Sequence, residues 1–478
     1  MPCMTPRMKR IAAKTLLVTV LATAATCLLA VHAWWLAPLY VGDRPVARSG
    51  SLVVLAQNFE YGDAAVASLY RYAGRTGVDS AFVYALGISA DSLSKEWQQA
   101  VKDTYLPFTE DRVHPDSAGR LVLSNDLDAG DINVAPTLSP DGRYVAFLSE
   151  RDLFNINLFV ADAQTGKVVK KVRDLASDPH FDAIRFIASS GTWSPDGKKL
   201  AFVTFVEGNN ELSIFNVESR SVERRVTISG VGAMANPAWS PDGKTIAFSG
   251  LDGGLSDLYL LDVATNEVRQ LTNDRYADLQ PTWSPDGRTL AFVTDRGPDG
   301  TNFETLDYAE MRLGLFHLDT SEIEVLRPFG DAMHHNPQFS RDGRSLFFIS
   351  DQDGFKDIYR YDLAARAPYR VTYLKTGVSG ITQLSPALTV ARETGRMMFS
   401  VFWDGEYRVF SLEDAETVGT PIAPRIEPGI PTASVLPPVS AVNTGLVAAY
   451  LRDPESDLPE DLTFDSESYS PRLKLDYV

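Results

Sequence analysis

Histidines are the side chains of this sequence best suited to hold a metal or to act as a general base. The chain has six: His32, His114, His180, His317, His334 and His335. A helical zinc peptidase site needs two histidines one turn apart with a glutamate between them, and no pair has the His-Glu-x-x-His spacing. The adjacent His334 and His335 would point to opposite sides of an extended chain, which does not suit one shared metal. We expect both to be polar loop residues, and the sequence predicts neither a metal site nor a cofactor.

Nucleophilic catalysis has little support either. The two cysteines, Cys3 and Cys27, lie near the N-terminus, so the rest of the chain can form no disulfide and no thiolate metal site. A hydrolase elbow needs Gly-x-Ser-x-Gly, and the glycines around Ser379 lack that spacing. Aspartates recur in Asp-Gly turns, where we interpret them as structural: Asp141, Asp196, Asp242, Asp286 and Asp342. No catalytic residue is predicted, and we expect the protein not to be an enzyme.

Charge narrows the possible partners. The 478 residues include 45 Lys and Arg against 62 Asp and Glu, a net charge of −17. The first 50 residues hold six basic residues and one acidic residue, so the remainder is more acidic still. A nucleic-acid binder needs a basic face that neutralises phosphates, and nothing in this sequence builds one. We expect protein partners rather than nucleic acid.

The N-terminus has the pattern of an export signal. Arg7, Lys9, Arg10 and Lys14 precede an uncharged, largely apolar run over 15–42. We predict that residues 1–42 are a cleaved signal peptide or an uncleaved membrane anchor, and the sequence leaves both open. Membrane contact through residues 11–40 follows only if the leader is uncleaved. The body of the protein is then periplasmic or otherwise extracytoplasmic.

Two kinds of element follow the leader. Residues 51–105 predict three short helices: Asp63–Ala73, Ser80–Leu86 with Asp79 as its cap, and a third capped by Ser89. From about residue 119 the pattern changes to short alternating strands separated by Asp-Gly turns.

Internal repetition indicates the fold. The phrase Pro-x-Trp-Ser-Pro-Asp-Gly-Lys, followed by an apolar strand, occurs in five recognisable copies with their Ser at 139, 194, 240, 284 and 340. A degenerate sixth copy begins Pro386-Ala387-Leu388-Thr389, which places Thr389 at the Ser position. The spacing suits four strands per unit, the size of a propeller blade. We predict an all-β, six-bladed propeller over residues 119–412.

The ends of the repeat region are also informative. An orphan strand at Arg120–Ser124 precedes the first copy, and the sixth copy lacks a convincing fourth strand. We predict that this strand closes the ring as the outer strand of blade six; the alternative is a mere linker strand. Residues 413–478 are proline-rich and acidic, and they predict a linker with a strand-like tail.

One set of positions is a candidate binding site. Polar residues precede the proline of the innermost strand in three blades: Asn236, Gln280 and Asn336, the last preceded by His334 and His335. Ala135, Ser190 and Ser385 occupy these positions in the other blades. Such positions would ring one mouth of the central channel. We predict that Asn236, Gln280, His334, His335 and Asn336 hold waters or a partner's polar side chain there; the alternative is a solvated mouth.

The repeats resemble the TolB-type propeller repeat over roughly residues 119–412. That resemblance implies the fold, without an activity, and suggests a protein-binding or scaffolding module of the cell envelope. The segment from Tyr61 to Trp97 resembles the closing helices of a gluzincin-type metallopeptidase domain. It implies an alternative in which the chain is a fragment or subunit of a propeller-containing zinc metallopeptidase whose His-Glu-x-x-His part is missing from this chain.

Overall fold

The structure is a computed structural model that describes residues 38–41, 44–48, 63–152, 156–172, 183–184, 189–206, 209–228, 230–304, 307–330 and 332–422. The predicted leader lies outside these residues except at its end. There Pro38–Val41 (β1) pairs with Arg44–Arg48 (β2) in an antiparallel hairpin, so the last residues expected in an apolar helix form a strand instead. Within the described part of the chain, no helix has the length and apolar character needed to cross a bilayer.

Three helices precede the sheets: α1 (Asp63–Thr76), α2 (Val78–Leu86) and α3 (Ala90–Tyr105). The predicted cap of α3 is confirmed, since the side chain of Ser89 accepts a hydrogen bond from the Ser92 N–H. The predicted boundaries of the first two helices are wrong. The first continues through residue 74 to Thr76, and the second begins at Val78 with Gly77, rather than Asp79, as its cap.

Six antiparallel sheets, here called blades one to six, contain the remaining strands. Blade one contains β4 (Asn133–Leu138), β5 (Tyr144–Ser149), β6 (Asn157–Asp162) and β7 (Val168–Lys171). Blade two contains β8 (Ala183–Ile184), β9 (Thr192–Trp193), β10 (Lys199–Val206), β11 (Asn209–Asn216) and β12 (Ser221–Thr227). Blade three contains β13 (Ala233–Trp239), β14 (Thr245–Asp252), β15 (Leu255–Asp262) and β16 (Val268–Gln270).

The second half of the ring follows the same plan. Blade four contains β17 (Asp278–Trp283), β18 (Thr289–Thr294), β19 (Arg312–His317) and β20 (Glu322–Leu326). Blade five contains β21 (His334–Phe339), β22 (Ser345–Ser350), β23 (Asp357–Asp362), β24 (Ala367–Arg370) and, added at its outer edge, β28 (Thr420–Pro421). Blade six contains β25 (Leu388–Val390), β26 (Met397–Trp403), β27 (Glu406–Leu412) and β3 (Arg120–Leu123).

The ring closes as the sequence predicts. Strand β3 pairs antiparallel with β27, with Leu121 opposite Phe410 and Leu123 opposite Val409, and so becomes the outer strand of blade six. The described start of the predicted linker also joins the sheets, because β28 pairs with β24 through Thr420 and Pro421. Residues 423–478 lie outside the described part.

The core lies between neighbouring blades. Phe202 of blade two shares an apolar cluster with Leu148 of blade one. The other blades repeat this arrangement, and Phe147 of blade one packs in a cluster with Met398 of blade six. The closed ring buries both faces of every sheet, which a single blade could not do. Each large apolar side chain buried in this way contributes roughly 1.5–3 kcal/mol to stability.

The sixth repeat has a different register from the one predicted. The Ala391 N–H bonds to the Arg396 carbonyl, as the Ser340 N–H bonds to the Ser345 carbonyl in blade five. Val390 pairs with Met397 just as Phe339 pairs with Leu346. Ala391, not Thr389, therefore occupies the Ser position, because the strand pairing rather than the Pro-x-x-Thr phrase sets the register. By the same alignment Ala387, not Ser385, corresponds to Asn336.

Candidate functional site

The innermost strands of four blades share a local distortion that shapes the channel around the propeller axis. In each, the pairing register shifts at the residue before the proline, which forms a β-bulge. These residues have positive φ, a conformation that residues other than glycine and asparagine rarely adopt. They are Ala135 (51°), Asn236 (51°), Gln280 (55°) and Asn336 (52°).

Hydrogen bonds from the preceding blade hold three of these bulges. The Asn236 N–H donates to Ser189 Oγ at 2.8 Å, and the Gln280 N–H donates to Ser249 Oγ at 3.0 Å. The Asn336 N–H donates to Gln280 Oε1 at 2.6 Å. Each bulge is therefore fixed by a contact between blades, which offsets the cost of the unusual backbone conformation.

A cavity of about 130 Å³ lies on the axis between these bulges and the Ser-Pro-Asp-Gly turns. The bulge residues Asn236, Gln280 and Asn336 line its inner end, and each is less than 9% exposed. The turn residues Pro140 and Pro285 form part of its outer rim. The polar residues expected at a channel mouth are therefore set back from the rim by the length of half a strand.

The side-chain amides of Gln280 and Asn336 at the inner end are already hydrogen-bonded to the protein. Gln280 Nε2 donates to the Leu384 carbonyl at 2.7 Å, while its Oε1 accepts from Asn336. Asn336 Oδ1 accepts from the N–H groups of Ala387 and Leu388, at 2.7 and 2.8 Å. Gln280 and Asn336 thus connect blades four, five and six across the inner end of the cavity, and these oxygens are not free acceptors for a ligand.

His334 and His335 are placed differently from the prediction. Both lie in β21 and are fully buried, so the expectation of loop residues is wrong. The His334 ring stacks on Phe348 and Phe329, with ring centroids 5.3 and 5.8 Å away. Burial lowers the pKa of His334 to about 4 and the pKa of His335 to about 3, so both are neutral at pH 7. Neither histidine lines the axial cavity.

Aromatic side chains form the walls of the cavity: Trp193, Trp239, Trp283 and Phe339. Two indoles are fixed by the neighbouring blade, because Trp193 Nε1 donates to the Thr137 carbonyl and Trp283 Nε1 to the Ala238 carbonyl, both at 2.9 Å. Trp239 Nε1 donates at 3.0 Å to the Gly243 carbonyl of its own turn. The walls are therefore rigid and preformed.

The turn aspartates serve the turns. In blade three, Ser240 Oγ donates to Asp242 Oδ1 at 2.6 Å, and the same Oδ1 accepts from the Lys244 N–H at 3.1 Å. The serine bond is the main cause that lowers the pKa of Asp242, and the equivalent bonds lower the pKa of Asp286 and Asp342. Among the described residues, no group of three or more His, Cys, Asp or Glu is arranged to hold a metal ion.

Arg392 is the functional candidate that sequence reasoning missed. Among the residues that the structure describes, it is the single charged one lining the cavity, and in the corrected register it occupies the turn position that is proline in blades one to four. Its Nη2 donates to the Trp239 carbonyl of blade three at 3.2 Å. Because blade three faces blade six across the ring, the side chain crosses the axis. The departure of the sixth turn from the repeat was the available signal, and the misplaced register obscured it.

The chain matches a known family over part of its length. The family model described as TolB beta propeller domain matches residues 184–305, which fall in blades two to four. A search of curated proteins found no match.

Solved structures include similar rings. A protein assigned as TolB in Agrobacterium tumefaciens is 19% identical over 59% of this chain and 90% of its own, with a TM-score of 0.41. TolB from Acinetobacter baumannii is 19% identical over 68% of this chain and 70% of its own, with a TM-score of 0.37. An oligogalacturonate lyase from Vibrio parahaemolyticus is 14% identical over 58% of this chain and 76% of its own, with a TM-score of 0.38.

The family match and the ring support the same conclusion. Repeats with one shared turn chemistry continue on both sides of the matched segment, and all six sheets join in a closed ring. This chain is a six-bladed β-propeller whose residues 184–305 match the TolB beta propeller domain.

Proposed function

We propose that this protein is an exported, non-catalytic propeller that binds a protein partner at its axial cavity and acts as a scaffold in the cell envelope. The observation that carries the proposal is the cavity itself. Its walls include aromatic residues that are fixed by hydrogen bonds, its inner end is polar, and its rim opens among the turns of one propeller face.

This arrangement favours a polypeptide segment as the ligand. The wall is already ordered, because its tryptophans are buried and hydrogen-bonded, so a ligand would bind with little loss of side-chain freedom. Thr282 and Gln338 are half-buried in the wall and add polar groups along it. An extended segment that places one or two side chains in the cavity while its flanks lie on the turns would use all of these features.

The leader supports export. A basic segment followed by an uncharged, largely apolar run is the pattern recognised by the export machinery. The acidic body suits protein contacts outside the cytoplasm and does not suit contacts with nucleic acid or with an anionic surface.

The test fills the cavity without disturbing its inner end. Thr282→Trp places a bulky ring in the wall, and Arg269→Trp places the same ring on the exposed outer strand of blade three as a matched control. Pull-downs from envelope extracts should lose the partner by about tenfold with Thr282→Trp and retain it with Arg269→Trp, once thermal melting has shown both variants to be folded.

Two results would contradict the proposal. Equal recovery of partners by both variants would remove the axial cavity as the binding site. Hydrolysis of casein or of a peptide library by the purified protein, abolished by a zinc chelator, would remove the non-catalytic assignment.

A further inference from the structure

We propose that Arg392 recognises a carboxylate on the segment that enters the axial cavity, so that the partner binds through an acidic residue or a free C-terminus. The inference rests on the proposed function, since it specifies the chemistry of the ligand at that same site. Its evidence is the position of one cation in an otherwise uncharged cavity.

The first step is the charge balance of the cavity. In the described part of the chain, Arg392 is its single charged lining residue. No carboxylate among the described residues forms a salt bridge with its guanidinium, and the one hydrogen bond it donates goes to a neutral carbonyl, that of Trp239. Some arginines elsewhere in the ring are paired with carboxylates, as Arg296 is with Asp274 and Asp278, while the buried Arg312 donates to three backbone carbonyls.

The second step is the cost of this arrangement. Arg392 is partly buried, and that burial lowers its pKa, while the negative charge of the adjacent Glu393 opposes the effect. Glu393 is not hydrogen-bonded to the guanidinium, and a planar carboxylate bound directly to it is the group that its donors fit best. An anionic ligand would therefore regain the interaction energy that the free protein does not use.

The third step is geometry. In blades one to four the equivalent turn residue is proline, and each following turn packs a glycine near it, as Gly343 does against Pro285. Arg392 instead sends its side chain across the axis to the opposite blade. A ligand that enters from the rim meets this guanidinium before it reaches Gln280 and Asn336. The cavity has room for about four waters, enough for a carboxylate and the carbons that carry it.

Arg341 provides the matched control. It occupies the same turn position in blade five, but its side chain is exposed and does not line the cavity. Replacing either arginine by glutamine changes the net charge of the same face equally. A difference between Arg392→Gln and Arg341→Gln therefore reports the cavity and not the long-range field.

The experiment uses phage-displayed linear heptapeptides selected on the full chain, with bound phage released by competing soluble protein. The tightest peptide is then synthesised in three forms: unaltered, with each Asp and Glu replaced by Asn and Gln, and with an amidated C-terminus. Because three tryptophans line the cavity, binding is followed by tryptophan fluorescence.

We expect the affinity of the selected peptide to fall at least about tenfold when one carboxylate is removed. If the Asn and Gln form binds more weakly, the carboxylate is a side chain; if the amidated form does, it is the C-terminus. Arg392→Gln should bind the unaltered peptide more weakly by a similar factor, and it should bind the peptides with and without the carboxylate almost equally. Arg392→Lys should lose less, and Arg341→Gln should stay within about twofold of wild type.

Three outcomes would overturn the inference. The first is the selection of peptides that lack a carboxylate but bind in the cavity, as shown by their loss of binding to Thr282→Trp. That result would leave the proposed function intact. The second is an acidic peptide that binds Arg392→Gln within about twofold of wild type. Failure to select any peptide that Thr282→Trp blocks would remove both the inference and the proposed function.

Discussion

Blades three and five are built from the same repeat but relate differently to the rest of the chain. In blade three the outer strand, Val268–Gln270, is exposed along its length. In blade five the outer strand, Ala367–Arg370, is half-buried, and β28 pairs with its edge. The segment after the helices also reaches blade five, where the Val113 N–H donates to the Tyr373 carbonyl at 2.9 Å.

The contrast is sharpest at one aspartate. Asp257 and Asp357 occupy equivalent positions in the third strand of their blades. They lie opposite Gly250 and Ser350, and both are buried. Asp257 is bonded from within its own repeat, since Gln270 Nε2 donates to its Oδ2 at 3.1 Å. Asp357 accepts from Thr372 of its own blade and, in addition, from the cation of Arg112, which precedes the propeller, at 2.7 Å.

Arg112 connects several parts of blade five. Its Nη2 donates to Asp353 Oδ2 at 2.7 Å, and its guanidinium lies 3.7 Å from the centre of the Phe355 ring. Arg370 donates to the same Asp353 oxygen at 2.8 Å. The repeat therefore specifies where a buried aspartate lies, and residues from outside the repeat decide whether its charge is compensated. Blade five is the place where the preceding segment is attached to the ring.

The largest effect should come from removing that attachment. Arg112→Met leaves Asp353 with Arg370 alone and Asp357 with no cation, and stranding a buried charge costs about 3–5 kcal/mol. The free energy of unfolding in urea should fall by that amount.

Two comparisons bear on this prediction. Lys95→Met breaks an ion pair with Asp91 whose two side chains are 77% and 84% exposed, and it should change stability by less than about 1 kcal/mol. Asp257→Asn in blade three should also cost little, because the Oδ2 of Asp257 accepts from the neutral amide of Gln270 and not from a cation. A loss of under 1 kcal/mol in Arg112→Met would mean that blade five does not depend on the attachment.

The next effect concerns pH and position 334. In blade three the residue equivalent to His334 is Met234, so His334→Met makes the two blades alike. The pKa of His334 is lowered from 6.5 to about 4, so below pH 6.5 the unfolded chain binds a proton that the folded chain does not. Stability should therefore fall between pH 6.5 and pH 4, by up to roughly 3 kcal/mol for this residue.

Urea unfolding at pH 7 and at pH 4.5 measures this effect. His334→Met should reduce the difference between the two pH values, while His317→Gln, which replaces a partly exposed ring, should preserve it. Part of the slope should remain in His334→Met, because burial lowers the pKa of His335 as well. Wild type and His334→Met with parallel pH profiles would show that the buried ring does not control acid stability.

The sequence predicts the six sheets and the closing strand because both depend on local information. Ser-Pro-Asp-Gly specifies a tight turn, and the apolar strand after it specifies a buried neighbour. The sixth register was mispredicted because Pro386-Ala387-Leu388-Thr389 imitates the repeat phrase, whereas the position of the turn is fixed by backbone pairing with β26.

The candidate site was less predictable because its contacts join distant parts of the chain. Arg392 bonds a carbonyl 153 residues away, and Arg112 bonds a carboxylate 245 residues away. The set-back of Asn236, Gln280 and Asn336 from the rim follows from the bulges, which periodicity does not show. The burial of His334 depends on Phe329 and Phe348, which lie on neighbouring elements of the fold.

The smallest effect tests what the two blades share. Ser240 in blade three and Ser340 in blade five each donate to the turn aspartate and accept from a backbone N–H, that of Thr245 or Ser345. Ser240→Ala and Ser340→Ala should each lower the free energy of unfolding by about 1 kcal/mol, because each removes two hydrogen bonds of the turn. Both should raise the pKa of the turn aspartate toward its usual value, since the serine bond is the main cause that lowers it.

The turn of blade six, where alanine already stands at position 391, shows that the ring forms without this serine. Urea unfolding measures the two costs, and a difference above about 0.5 kcal/mol would mean that the attachment at blade five extends into its turn.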